Sequence, residues 1–159
     1  MLAIDKSGNK LLEFIDVKEE DVSSEYSPVT VCLLVVKIGG DYLMGFNHWR
    51  KKWETFGGCP ESGETMREAM VREAKEELGI DCSPEWLGLA HYELQPDYFS
   101  KVVREEYGAV YGVSLPGECL EQIGSSRTDR EEIEKLALLS KIPSDEEISE
   151  LDRKLTELY

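Results

Sequence analysis

Basic side chains are scarce in this chain: 18 lysines and arginines stand against 33 aspartates and glutamates, a formal net charge of −15. Proteins that hold long nucleic-acid backbones displace counterions with basic surface, so the deficit argues against that class of partner. Small phosphorylated ligands stay compatible with it, because they arrive with a divalent cation that reduces their charge. Histidine is scarcer still, with only His48 and His91, and the four cysteines, Cys32, Cys59, Cys82 and Cys119, include no C-x-x-C pair. Neither a zinc site nor a disulfide framework is indicated. Cys59 has no histidine neighbour to activate it and is assigned no role. Long apolar runs are missing too. The longest, Val31 to Val36 beside Val29 and Thr30, is far short of the roughly 20 residues needed to cross a bilayer. The N-terminus lacks a basic patch followed by an apolar stretch, so the expectation is a cytoplasmic protein with no membrane partner. No internal repeat or low-complexity segment interrupts the sequence, and 159 residues suit one domain over 1–159 better than two.

Strand signals are plentiful. Lys10 to Val17 reads as an early strand of a hairpin that turns at Ser7-Gly8-Asn9. Val29 to Ile38 is rich in β-branched and aliphatic residues, as a buried central strand would be, and Gly39-Gly40-Asp41 turns it into Tyr42 to Phe46. Trp86 to Leu94 and Tyr107 to Leu115 supply two more strands, the second stopped by Pro116-Gly117. Ser144 to Leu158 carries apolar residues at Ile148, Leu151, Leu155 and Leu158 and reads as a closing helix, with Ser144 as its cap and Glu147 three residues on. Ser125-Ser126-Arg127-Thr128 reads as a surface loop.

The central helix can be located from its ends. Thr65 followed by Glu68 fits a capping box, so the helix starts near Met66; Gly79 offers a left-handed residue to close it after Leu78. Met66, Met70, Ala74 and Leu78 recur every fourth position and wind an apolar stripe for docking onto a sheet. Glu73, Glu76 and Glu77 stand at i, i+3 and i+4, where side chains are neighbours on the helix surface. They crowd three anions onto the last two turns, where the helix dipole favours cations. Arg72 and Lys75 are adjacent in sequence but are expected to point away from the centre of the patch. A hard dication, magnesium or manganese, takes such carboxylate oxygens directly. Taken alone, a glutamate triplet in so acidic a chain reads as a solvated face; the residues around it change that reading.

Gly58 is followed after five residues by Glu64, and after seven more by Arg72-Glu73-Ala74-Lys75-Glu76-Glu77-Leu78-Gly79-Ile80. The segment resembles the Nudix box, G-x5-E-x7-R-E-U-x-E-E-x-G-U with U a bulky aliphatic, with every fixed Gly, Glu and Arg at its offset. The one departure is Ala74, small where the family places a larger aliphatic, which concerns packing and not ligation. Trp53-Glu54-Thr55-Phe56-Gly57-Gly58 resembles the strand and double glycine that lead into the box, and Glu131-Glu132-Ile133-Glu134-Lys135-Leu136 resembles an acidic-aliphatic segment that follows the central strands in the family.

The resemblance implies a Nudix-type α/β/α sandwich with a mixed central sheet, and hydrolysis of the pyrophosphate bridge in a nucleoside diphosphate linked to another group, with Mg2+ or Mn2+ as cofactor. It carries Glu73, Glu76 and Glu77 over as metal ligands, adds a backbone carbonyl of Gly57 or Gly58, and makes Glu64 with Arg72 an ion pair that holds the loop to the helix. For the general base it points to Glu73 first and Glu132 second, with Glu105 and Glu118 as further acidic residues. Arg50, in the cluster Arg50-Lys51-Lys52 between Trp49 and Trp53, and Trp53 itself are candidates for substrate contact. Tyr92, Tyr98 and Phe99 lie where the family varies its pocket. Many relatives pair, which makes a homodimer the expected assembly. Two other readings remain: an isomerase of the isopentenyl diphosphate type, for which no Asn-x-x-Cys-Ser-His-Pro-like segment occurs, and a non-catalytic nucleotide-binding module, which would commonly have lost a glutamate of the box.

Overall fold

A hairpin opens the chain in the computed structural model, which describes residues 1–159. Ala3–Ile4 (β1) pairs antiparallel with Lys10–Ile15 (β2) across a turn in which Asp5 Oδ1 accepts the amides of Ser7 and Asn9 at 2.8 and 2.9 Å. A short helix, Val22–Glu25 (α1), precedes the long strand Val29–Ile38 (β3). Then come Asp41–Asn47 (β4), Lys52–Glu54 (β5), Phe56–Gly58 (β6), the helix Met66–Leu78 (α2), Glu85–Leu94 (β7), Arg104–Leu115 (β8), Ile133–Leu138 (β9) and the helix Glu150–Thr156 (α3).

The sheet runs in the order β1-β2-β7-β8-β3-β4-β5, with β6 on β3 and β9 on β4. It is mixed, because β3 and β8 are parallel while their other pairings are antiparallel. Strand alternation sorts the core onto two faces. Cys32, Leu34, Val36 and Ile38 of β3 turn to one side, where Ala69, Met70, Ala74 and Leu78 of α2 cover them. Val35 turns to the other, where Leu151 and Leu155 of α3 pack with Leu11, Ala90 and Val110. The result is the α/β/α layering expected from the sequence. Ala74 is fully buried against the sheet, so its small side chain lets α2 sit close.

Both ends of α2 are fixed. Thr65 accepts the Glu68 amide and the Glu68 carboxylate accepts the Thr65 amide, completing the capping box. At the other end Gly79 takes φ +72°, and the loop after β8 folds under the helix: Gly124 donates its N–H to the Leu78 carbonyl at 2.9 Å, and Thr128 and Asp129 donate theirs to Glu76 at 3.0 and 2.9 Å. These bonds satisfy carbonyls that a helix end otherwise leaves without partners. The expectation that residues 125–128 form a plain surface loop is therefore corrected. Arg127 is buried and donates through Nη2 to the carbonyls of Asp129 and Ile133. A Cβ on Gly79 would lie 2.6 Å from the Arg127 nitrogen. Adding backbone strain to that clash, Gly79→Ala is expected to cost about 2–4 kcal/mol, read as a lowered urea midpoint; an unshifted midpoint would show the loop is not docked.

The closing helix also differs from expectation. It begins at Glu150 with Ser149 as its cap, not at Ser144. The reason is the open edge of β5: Trp53 donates its N–H to the Glu147 carbonyl and accepts from Ser149 N–H, both at 2.8 Å, so 147–149 is drawn out as a bridge to the sheet. Edge pairing outweighs the helical pattern there.

Candidate active site

The docking of α2 places its last two turns beneath β6. Glu77 is 1% exposed. Its Oε1 accepts the Gly57 amide at 3.0 Å, while its Oε2 is buried with no partner. Burial, opposed by the Gly57 hydrogen bond and reinforced by the charge of Glu73, by the hydrogen bond a proton here makes to Glu73 and by the charge of Glu132, holds its carboxyl pKa far above the usual range, so Oε2 lacks a partner only when the group is ionised. Glu73 lies against the loop: a Cβ on Gly58 would meet Glu73 Oε1 at 2.3 Å, so only glycine leaves room for this carboxylate. Glu76 is the most open of the three, its side chain 42% exposed.

Arg72 does not point away from this patch, which corrects the sequence expectation. Its Nε and Nη2 fork onto Glu64 at 2.8 and 3.0 Å, holding the Glu64 carboxyl well below its ordinary range. Its Nη1 donates to Glu73 at 2.9 Å and to Glu76 at 3.3 Å. One guanidinium is thus shared among three carboxylates and leaves the cluster net negative, and Glu77 has no cation of its own. Lys75 does turn aside, reaching Asp81 at 3.4 Å. No three acidic, histidine or cysteine side chains are grouped as a ready-made metal site, and Arg72 holds two of the candidates, Glu73 and Glu76. The donor set still fits a hard dication: oxygen atoms only, one of them buried and unpartnered at Glu77.

A cavity of about 370 Å3 opens over Gly57, Gly58 and Glu77 and extends to α3. Glu132 stands at its mouth, its carboxyl raised by burial and by Asp129 and lowered by Arg50. Asn47 shapes this wall. Its Oδ1 accepts the amides of Trp49 and Arg50, and its Nδ2 is 3.5 Å from Glu132. Arg50 lines the cavity, with its guanidinium forked onto Glu54 at 2.6 and 2.7 Å and 3.7 Å from Glu132. Trp53 does not belong to the site. Strand alternation sends Lys52 and Glu54 to the cavity and buries Trp53 on the opposite side, edge-on to Phe46. Tyr92 lines the cavity, whereas Tyr98 and Phe99 are 87% and 90% exposed outside it. Glu105 faces His91 and Glu118 sits in a turn after β8; neither approaches Glu77.

Glu54, Thr55 and Asp152 also line the cavity and were not singled out from sequence. The first two precede the double glycine, a position that could have flagged them. Asp152 carried no local signal. Its Oδ2 accepts the Thr55 amide at 3.1 Å. Burial first, then the Glu54 charge, lift its carboxyl to about 7, against the Thr55 hydrogen bond and the charges of Lys52 and Arg50. A carboxyl raised in the fold binds its proton more tightly there than in the unfolded chain, so its contribution to stability is full below the ordinary value of 3.8 and is lost as pH rises through about 7. Asp152→Asn is therefore expected to gain thermal stability relative to the natural chain on going from pH 5 to pH 8, read by calorimetry; parallel pH profiles would contradict the assignment.

The NUDIX domain model matches residues 27–158. No curated protein sequence matches the chain. Among solved structures, a Bacillus subtilis pyrophosphohydrolase, BsRppH, superposes with a TM-score of 0.63 at 19% identity, covering 98% of this chain and 95% of that one. A MutT NUDIX hydrolase from Burkholderia pseudomallei gives 0.60 at 18%, over 84% and 98%. The NUDIX domain of Shewanella oneidensis NrtR, solved with ADP ribose, gives 0.59 at 11%, over 89% and 96%. At these identities the likeness is one of fold, and it agrees with the layering above. With the domain model spanning most of the sequence and the complete box folded onto the helix and loop just described, the chain belongs to the NUDIX domain family.

Proposed function

We propose that this Nudix enzyme works as one catalytic unit over its whole length, hydrolysing a phosphoanhydride bond in a nucleoside diphosphate linked to a further group, with Mg2+ or Mn2+ as cofactor. The observation that carries the reading is Glu77: a fully buried carboxyl beside the charges of Glu73 and Glu132, with no cation of its own and a pKa held far above the usual range. Such a group ionises near neutral pH only when an external cation compensates its charge. Glu73, Glu76 and Glu77 would hold the metal together with a backbone carbonyl of Gly57 or Gly58. When bound it supplies positive charge to the phosphate oxygens and acidifies bound water.

The remaining work falls to the chain's own residues. Glu132 is preferred over Glu73 as general base, because it lines the cavity and burial raises its carboxyl, whereas Glu73 is committed to Arg72. Its carboxylate takes a proton from the attacking water as the new P–O bond forms, and the bridging P–O bond breaks with its electron pair leaving on the departing phosphate. Asn47 holds the Arg50 backbone and steadies Glu132. Arg50, already at the mouth, is within reach of phosphate oxygens if it exchanges Glu54 for substrate. Arg72 is a positioning residue that ties the loop at Glu64 to the helix.

No helix is long and apolar enough to cross a membrane, and all four cysteines are free thiols, which suits the reducing cytoplasm as the place of work. The test is a screen of canonical and oxidised nucleoside triphosphates, ADP-ribose, nucleotide sugars and dinucleoside polyphosphates with Mg2+ or Mn2+, scoring released phosphate and pyrophosphate. Turnover of at least one compound that vanishes on chelation is expected. Silence across the panel with both metals would overturn the reading.

A further inference from the structure

The segment between β8 and β9, residues 116–132, touches both the acidic helix and the cavity mouth. On one side it caps α2. Gly79 N–H satisfies the Lys75 carbonyl at 3.0 Å, but the Glu76 carbonyl takes its donors from Thr128 and Asp129 and the Leu78 carbonyl from Gly124. A last turn deprived of such donors frays, and this last turn carries Glu76 and Glu77. On the other side the segment carries Glu132. The Glu132 amide donates to Asp129 Oδ1 at 3.0 Å, and the Glu132 carbonyl accepts His48 N–H at 2.8 Å. Asp129 is therefore the joint. Its backbone N–H holds the helix that bears the glutamate triplet, and its side chain holds the residue whose carboxylate lines the cavity.

Arg127 makes the joint stiff at a cost in desolvation. The residue is 7% exposed, its Nε has no partner, and its Nη2 donates to the carbonyls of Asp129 and Ile133. A buried guanidinium that meets carbonyls in place of a carboxylate gives up hydration with no ion pair in return. What the arrangement achieves is geometric: residues 129 and 133 are tied to one nitrogen, with Glu132 between them. Gly79 and the amides alone would be enough to end a helix. The further tie from Asp129 to Glu132 links that helix end to the cavity mouth.

We propose that Asp129 is a positioning residue that couples the last turn of α2 to Glu132, so that cation binding by the glutamate triplet and seating of Glu132 at the cavity are one linked equilibrium. The coupling rests on the metal and general-base roles given above and is tested first without catalysis. A cation that binds only the capped turn slows opening of whatever is linked to it by the factor 1 + [L]/Kd. With Mg2+ at about ten times its calorimetric Kd, residue-resolved amide exchange should therefore slow about tenfold at Thr128, Asp129 and Glu132 together. Asp129→Ala removes the side chain and keeps the backbone donor. Its amides at 128 and 129 should still respond to Mg2+, while that of Glu132 exchanges faster and no longer responds. Asp129→Asn keeps an acceptor at Oδ1 and should restore the Glu132 response. Turnover of a compound found in the screen should follow the same order: kcat down at least about tenfold in Asp129→Ala with KM within about twofold, and mostly recovered in Asp129→Asn. A Glu132 amide indifferent to Mg2+ in the natural chain while Thr128 responds, a response that survives in Asp129→Ala, or an Asp129→Asn that behaves as Asp129→Ala would overturn the coupling and leave the metal reading standing. Mg2+ that binds without slowing any of the three amides would do the same. Absence of calorimetric binding by Mg2+ and by Mn2+ would instead fail the metal reading, and the linkage with it.

Discussion

Glu77→Gln is expected to lower Mg2+-dependent turnover by at least about a hundredfold while raising the thermal midpoint of metal-free protein. The two effects have one cause. The carboxyl is fully buried beside the charges of Glu73 and Glu132 with no cation of its own, so without metal the fold holds it protonated at a pH where the unfolded chain releases that proton. Glutamine keeps the shape and the bond from Gly57 N–H, and its amide can donate towards Glu73 in place of the orphan oxygen. Sparing the fold that proton uptake is worth about 1–3 kcal/mol near neutral pH, and each kcal/mol moves the midpoint of a domain this size by about 2–4 °C. Added Mg2+ should then stabilise the natural chain and not the variant, because only a state that binds the ion gains from it. Glu76→Gln gives the contrast. Glu76 is far more open and already paired with Arg72, so turnover should fall while the metal-free midpoint stays near its natural value. A solvated acidic face would show none of this: Glu77→Gln with natural turnover and no rise in midpoint would return the triplet to ordinary surface.

The sequence was most legible where the structure is decided locally. The ends of α2 follow from Thr65, Glu68 and Gly79, all within a turn of the boundary they set. The central strand follows from a continuous β-branched and aliphatic run that α2 and α3 cover on its two faces. Long-range competition governs the rest. Ser144 has as good a capping pattern as Ser149, and only the free edge of Trp53 decides between them. Arg127 looks like loop punctuation until the α2 carbonyls it sits beneath are in place. Trp53 and Lys52 are neighbours in sequence, yet one residue of strand register sends the first into the core and the second to the cavity. Arg72 has four acidic partners within reach, Glu61 among them, and its fork onto Glu64 turns the remaining nitrogen towards Glu73 and Glu76. Asp152 sits 98 residues after Glu54 in the numbering, and no spacing rule joins them; α3 must first pack on the sheet. The metal-facing half of the site was therefore readable from one helix and its loop, while the half facing the rest of the substrate depends on the assembled fold.

Gly57 and Gly58 are adjacent and look alike in sequence, and alanine is expected to separate their roles sharply. Gly57 adopts φ +142°, and a Cβ there would lie 1.9 Å from the Cys32 carbonyl oxygen and 2.9 Å from its carbon. Those atoms belong to β3, whose pairing with β6 places Leu33 opposite Gly57, so neither strand can withdraw without breaking the sheet. Gly57→Ala should cost more than about 4 kcal/mol or leave no folded protein, read as loss of a cooperative unfolding transition. At Gly58 the obstacle is the tip of the Glu73 side chain, 2.3 Å from where the added methyl would sit. A carboxylate can swing aside, so Gly58→Ala should keep the fold to within about 1 kcal/mol yet move Glu73 off its station, with turnover down about ten- to a hundredfold. The pair discriminates between two reasons for a double glycine, a close strand approach and a cradle for a ligand. Full turnover in Gly58→Ala would remove any fixed role from Glu73, and a normally stable Gly57→Ala would mean that β6 does not lie on β3 in this register.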